Sequence, residues 1–180
     1  MRVLIAYSSK GGNTKKIAET IQSYHDKWEL LNIADKEMMK QVNLEAYDLI
    51  FVGGWVDKGI YNPECVEFCK TIKDKTIAFF FTLGAYPTGK HAHDCVNNIT
   101  NLFEENNNNV LNHFHCQGAV DAKLIAWMKS LPKEHGHAPD EHRVKRWENA
   151  AKHPNQEDFD AALSFVDLTM KSYMRQKEKE

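Results

Sequence analysis

Ser9, Lys10, Gly11, Gly12, Asn13 and Thr14 are the stretch of this sequence whose residue types and order best suit the capture of an anion. Hydroxyls flank two glycines and an amide, directly after the apolar run Val3-Leu4-Ile5-Ala6-Tyr7 and before a helical pattern carried by Ile17, Ala18, Ile21 and Tyr24. A buried strand that passes through such a loop into a helix aims unpaired backbone N–H groups and the positive end of a helix dipole at one point, which stabilises a phosphate. Glycine allows close backbone approach and positive φ, and Ser9 and Thr14 supply hydroxyl donors. A plain strand-to-helix turn capped by Asn13 or Thr14 uses the same residue types with no ligand. Neither nucleotide fingerprint is present: no third glycine completes G-x-G-x-x-G, and no Gly-Lys-Ser/Thr follows a four-residue gap.

Other reactive residues are scattered. Cys65, Cys69, Cys95 and Cys116 contain no C-x-x-C pair and read as reduced thiols within packed elements; Cys65 and Cys69, one helical turn apart, read as packing against a sheet rather than as a redox pair. His113 and His115 would face one side of a strand, but no acidic or cysteine ligands are arranged around them, so no metal centre is expected.

The elements that position the first loop follow from apolar patterning. After a helix over about residues 13–25 come a strand at 28–33, a short helix at 35–42 and a buried strand at 47–54 that ends in glycine. Pro63 opens a helix to about Thr71. The run Thr76 to Phe81 is the next strand, residues 90–105 a helix, and 110–118 a fifth, more polar strand near a sheet edge. Residues 119–155 break the pattern, with a short helix at Leu124, Trp127 and Met128 followed by a polar, His-rich surface excursion. A last helix starts near Asn155 as N-cap, with a frayed charged tail from Arg175 to Glu180. Buried strands alternating with helices predict an α/β fold, a three-layer sandwich with a five-stranded parallel sheet, in a single domain over 1–180 with a surface insertion at about 119–155.

In such sheets ligands sit beyond the carboxyl ends of the strands, where strand order reverses. The loops there are Ser9 to Thr14, then Trp55 to Gly59 after the third strand, and Thr82 to Gly89 after the fourth. All three carry glycine, and two carry an aromatic residue.

Together these loops resemble the flavodoxin family, over almost the whole chain apart from residues 119–155. In that family the first loop reads roughly Ser/Thr-x-Thr-Gly-Asn-Thr and wraps the phosphate of FMN; here Gly11 replaces a hydroxyl residue and Lys10 adds a positive charge. The later loops, Gly54-Trp55-Val56-Asp57-Lys58-Gly59 and Thr82-Leu83-Gly84-Ala85-Tyr86 before Pro87, with Cys116-Gln117-Gly118 further on, are similar to those of a variant subgroup. The resemblance implies the strand order 2-1-3-4-5 and a flavin ring held between Tyr86 and Trp55, whose π-faces suit stacking. A peptide near Asp57-Lys58-Gly59 able to reorient would tune the reduced flavin, Asp57 disfavouring added negative charge and Lys58 favouring it.

The implied function is FMN-dependent electron transfer to or from a partner reductase, with no catalytic acid or base of the protein's own. An FMN-dependent NAD(P)H:quinone or small-molecule oxidoreductase, and a cofactor-free binding module of the same fold, are the competing readings. A formal charge of −2, from 23 basic and 25 acidic residues, predicts no general attraction to nucleic acid or anionic membrane. It is also less acidic than the resemblance to general low-potential flavodoxin carriers implies, so the basic, His-bearing stretch His135 to Lys152 is either a docking surface for a dedicated partner or a solvated excursion with no partner. No segment approaches the roughly 20 apolar residues of a membrane span and no secretory signal opens the chain, so a cytoplasmic location is expected.

Overall fold

The computed structural model describes residues 1–179. The run Val3–Tyr7 forms β1, with all five residues buried. In chain order there follow α1 (Asn13–Gln22), β2 (Glu29–Asn32), α2 (Lys36–Gln41), β3 (Leu49–Asp57), β4 (Ile60–Tyr61), α3 (Pro63–Cys69), β5 (Thr76–Leu83), α4 (Lys90–Glu104), β6 (Asn109–Gln117), α5 (Ala122–Lys129), α6 (Glu141–Ala150) and α7 (Gln156–Lys177). The long strands pair in parallel in the order β2-β1-β3-β5-β6. This is the expected 2-1-3-4-5 arrangement; the added strand, β4, is two residues that fold back antiparallel on the end of β3.

Burial on consecutive strand residues demands cover on both faces. On one face Ile17, Ala18 and Ile21 of α1 join Ala162, Phe165 and Val166 of α7 against Ile5, Phe51 and Phe80. On the other, Phe68 of α3 and Ile99 and Phe103 of α4 pack on Val52, Phe79 and Phe81. α7 begins as expected at Asn155, whose side chain accepts from the Glu157 and Asp158 amides while Asp158 accepts from the Asn155 amide. The more polar β6 lies at a sheet edge, as its composition predicts.

Four boundaries differ from the sequence reading. The segment read as a loop from Trp55 is strand as far as Asp57, because Gly53 and Gly54 are placed for close packing rather than for termination. A Cβ on Gly53 would lie 2.1 Å from Phe80 Cζ, and one on Gly54 would lie 2.5 Å from Tyr61 Cδ1, so the two bare backbones admit rings from opposite faces of the sheet. β5 runs two residues past Phe81, through Thr82 and Leu83. Residues 119–155 hold two helices, α5 and α6, and Trp147 and Ala150 of α6 are buried, so that part of the segment is packed rather than an excursion. The charged residues Arg175 to Lys177 are the last turn of α7, where cations suit the negative end of the helix dipole; Glu180 lies outside the described residues.

All four cysteines are free and buried. Burial raises the Cys65, Cys95 and Cys116 thiols away from their reactive thiolates. Among the described residues no helix is long and apolar enough to cross a membrane.

Under the amino end of the sheet, the Tyr47 hydroxyl donates to Glu29 Oε2 at 2.6 Å, and Arg2 holds Glu29 Oε1 at 2.8 Å. Burial, aided by the Glu29 carboxylate, pushes the Tyr47 hydroxyl up to about 12. Tyrosine in the unfolded chain ionises near about 10. The neutral form is therefore favoured in the folded state, and its contribution is full below about pH 10 and lost as pH rises through about 12. Urea unfolding across this range is expected to show a shallower alkaline loss in Tyr47→Phe than in the parent; equal slopes refute the assignment.

Candidate functional site

Parallel strands end at a common rim, and where β1 and β3 diverge in connection the rim opens into a cleft of about 230 Å³. Four chain segments supply its walls. The first contributes Lys10, Gly11 and Asn13, the second Trp55 and Val56, the third Thr82, Leu83 and Gly84, and the fourth Gly118 to Asp121 together with Leu124.

The first segment is shaped by Gly12, whose φ of 87° places the residue before α1 in the left-handed region that glycine occupies without strain. Ser9 Oγ accepts from the Gly12 amide at 3.1 Å, closing the loop on itself. α1 then starts with no side-chain cap and no acid in its first turn; Lys15 and Lys16 stand there instead. Cations at the positive end of a helix dipole are unfavourable unless an anion accompanies them. Gly11 leaves open space beside these amides, with the nearest atom to a built Cβ, Asn13 Nδ2, at 4.0 Å. Lys15 is met by Glu19 Oε1 at 3.7 Å, so it is the uncapped donors and the bare backbone, with Lys16 beside them, that fit a phosphate. Thr14 is buried, and its hydroxyl shares a 2.9 Å hydrogen bond with that of Thr82, fastening the start of α1 to β5.

Trp55 is set by a residue that the sequence reading passed over. Asn62 accepts from the Trp55 amide through Oδ1 and donates its own amide to the Trp55 carbonyl, while its side-chain nitrogen donates to Ser8 Oγ at 3.0 Å. Ser8 in turn donates to Glu64 at 2.8 Å. The strand bearing the indole is thereby braced against β1. Lys10 Nζ lies 5.8 Å from the centre of the Trp55 ring and 3.3 Å from Asp121 Oδ2. The Lys123 amide, and after it the Lys10 ammonium, hold the Asp121 carboxyl below the usual carboxylate range.

Not every residue expected at the site lines the cleft. Gly54 is packed beneath Tyr61, and Asp57, Lys58 and Gly59 form the β3–β4 turn, where Asn98 donates to the Gly59 carbonyl at 3.0 Å. Ala85 and Tyr86 follow β5 outside the lining, with Tyr86 44% exposed. The neighbouring Pro87 carbonyl is held at 2.9 Å by His115, whose ring stacks on Phe81 at 4.7 Å. His113 and His115 do share one face of β6, stacked on Phe79 and Phe81, and among the described residues no three His, Cys, Asp or Glu side chains gather as a metal site would.

The fourth wall is the largest addition to the sequence reading. Asn13 Nδ2 donates to the Ala119 carbonyl at 2.9 Å, the Gly118 amide donates to the Leu83 carbonyl at 2.9 Å, and a Cβ on Gly84 would come within 2.6 Å of Val120 Cγ2. The signal was available: Gln117-Gly118 ends a parallel strand at the same rim, and the rule that located the other three loops applies to it equally.

Fold and site define a doubly wound α/β protein with a cleft at its switch point. The chain belongs to the flavodoxin family: the family model described as a flavodoxin domain matches residues 4–167, which includes the segment from 119 to 155. FMN is the cofactor this membership assigns to it. The chain is 33% identical over 172 residues to the flavodoxin-like domain-containing protein BilS of Clostridioides difficile (strain CD3), covering 92% of this chain and 94% of that protein. Among solved structures, oxidised Flavodoxin 2 from Bacillus cereus superposes with a TM-score of 0.59 at 17% identity, over 95% of this chain and 99% of that one. A flavodoxin from the domain Archaea does so with 0.54 at 15% identity, over 96% and 99%. At these identities the structures share the fold.

Proposed function

We propose that the protein is an electron carrier that holds FMN in this cleft and exchanges electrons with a partner protein. The observation that carries this reading is the chemistry of the lining: among the described residues its ionisable side chains are Lys10 and Asp121, and they are paired with each other. The cleft offers no unengaged acid, base or nucleophile, which suits a protein that binds and orients while the bound flavin accepts and gives up electrons. Gly11, the first amides of α1 and Lys10 would hold the phosphate, with Ser9, Gly12, Asn13 and Thr14 shaping their loop. Trp55, Val56, Thr82, Leu83 and Gly84 would contact the ring, and Tyr86, Ala85 and the turn at 57–59 would border it. The mainly apolar walls would keep water from the ring.

The visible spectrum of the untreated purified protein, followed by FMN titration, tests the reading. Flavin absorption bands, or saturable FMN binding with a rise in Tm, are expected, and reduction of the bound flavin is expected only when a reductase is added. Bleaching by NADH or NADPH alone would favour a self-sufficient oxidoreductase. Colourless protein with no thermal response to FMN would favour a cofactor-free module.

A further inference from the structure

Beside the backbone hydrogen bonds from Gly118 to Leu83 and from Ala119 to His153, three contacts reach from the segment between Gly118 and Leu124 across the mouth of the cleft. They are the Asn13 to Ala119 hydrogen bond, the seating of Val120 on the bare backbone of Gly84, and the Lys10–Asp121 ion pair. The first two start from Asn13 of α1 and from Gly84 directly after β5, and the Ala119 backbone is held in addition by its amide, which donates to the His153 carbonyl. The third joins the anion-holding loop to the start of α5 through two side chains that are 63% and 31% exposed, so it is the contact that opens most readily. Asp121 also has a second duty: its Oδ1 accepts from the Lys123 and Leu124 amides and caps α5. One carboxylate therefore couples the order of α5 to the position of Lys10.

Resting on the FMN reading above, we propose that Asp121 is a positioning residue of the cofactor site. Acting through Lys10, it latches the 118–124 segment over the cleft and slows the departure of the flavin. The competing possibility is that Lys10 serves the phosphate alone and Asp121 merely draws it away. The two make opposite predictions, because a latch is lost whichever partner is removed, whereas a withheld lysine is released when Asp121 is neutralised.

The experiment is FMN release by stopped-flow from the loaded protein, for the parent, Lys10→Gln, Asp121→Asn and the double variant. Asparagine is as good an N-cap as aspartate, so Asp121→Asn removes the charge while keeping α5 capped. The latch predicts release accelerated about two- to fivefold in each single variant, the range for a partly exposed ion pair, and no further in the double variant. Slower or unchanged release in Asp121→Asn, or effects of the two substitutions that multiply, overturns it. A second measurement needs no cofactor: amide hydrogen exchange of the free protein. The Ala119 amide, which donates to the His153 carbonyl, is expected to exchange faster in both single variants than in the parent, and equal exchange counts against the latch. If the parent binds no flavin, the functional reading fails on its own account, and the exchange result still decides whether the segment is latched.

Discussion

Gly11→Asp is expected to cost about a hundredfold in FMN affinity while leaving riboflavin, which has the same ring and no phosphate, bound as before. Gly11 has negative φ and open space where its Cβ would stand, so aspartate is accommodated without strain. Its carboxylate would sit beside the uncapped amides of α1, the position assigned to the phosphate. Two unit charges at roughly 6 Å and an effective dielectric near 20 repel by about 3 kcal/mol, which is about two decades in affinity. In the free protein the sign reverses. An acid near the start of an uncapped helix that carries Lys15 and Lys16 is favourable by about 0.3–1 kcal/mol, so Tm without cofactor should rise. Calorimetric titration with the two flavins, alongside thermal unfolding of the free protein, reads all three quantities. Equal losses for both flavins would mean a distorted loop, and no loss for FMN would move the phosphate elsewhere.

The second large effect is on folding itself. At Gly53 in mid-sheet the ring of Phe80 occupies the space of a side chain, with Cζ, Cε2 and Cε1 at 2.1, 2.2 and 2.8 Å from a built Cβ. Phe80 is fully buried on the α1–α7 face and has nowhere to retreat. Gly53→Ala is therefore expected to destabilise by roughly 3 kcal/mol or more, at or beyond the upper end of ordinary overpacking and a large part of a typical folding free energy. Pairing it with Phe80→Leu, which shortens the intruding group, should recover part of the loss relative to the sum of the single variants. Urea midpoints for the four proteins measure this. Additive losses would show that the glycine serves the strand backbone and not the ring.

Periodicity carried most of the fold because the strongest signals were local. Three apolar runs, the proline that opens α3 and the Asn155 cap each state their element within a few residues, and covered parallel strands leave little choice of layer arrangement. The misjudged boundaries share a cause. Gly53-Gly54 has the composition of a chain terminator, and only the rings of Phe80 and Tyr61, 27 and 7 residues away, make it strand interior. Trp147 likewise lies in a polar, charged stretch whose local pattern conceals that one side of α6 is buried.

By itself the sequence determined the buried strands, the helix starts and the glycine-hydroxyl loop after β1, because these are properties of neighbours in the chain, while the sheet order followed from the resemblance of the loops to the flavodoxin family. Tertiary structure alone decided how Trp55 is braced by Asn62 and Ser8, why Tyr86 stands outside the cleft lining, and that Asp121 reaches Lys10 to close a fourth wall. Those pairings join residues 7 to 111 positions apart, and their energy depends on distances and orientations that packing sets and that no local pattern encodes.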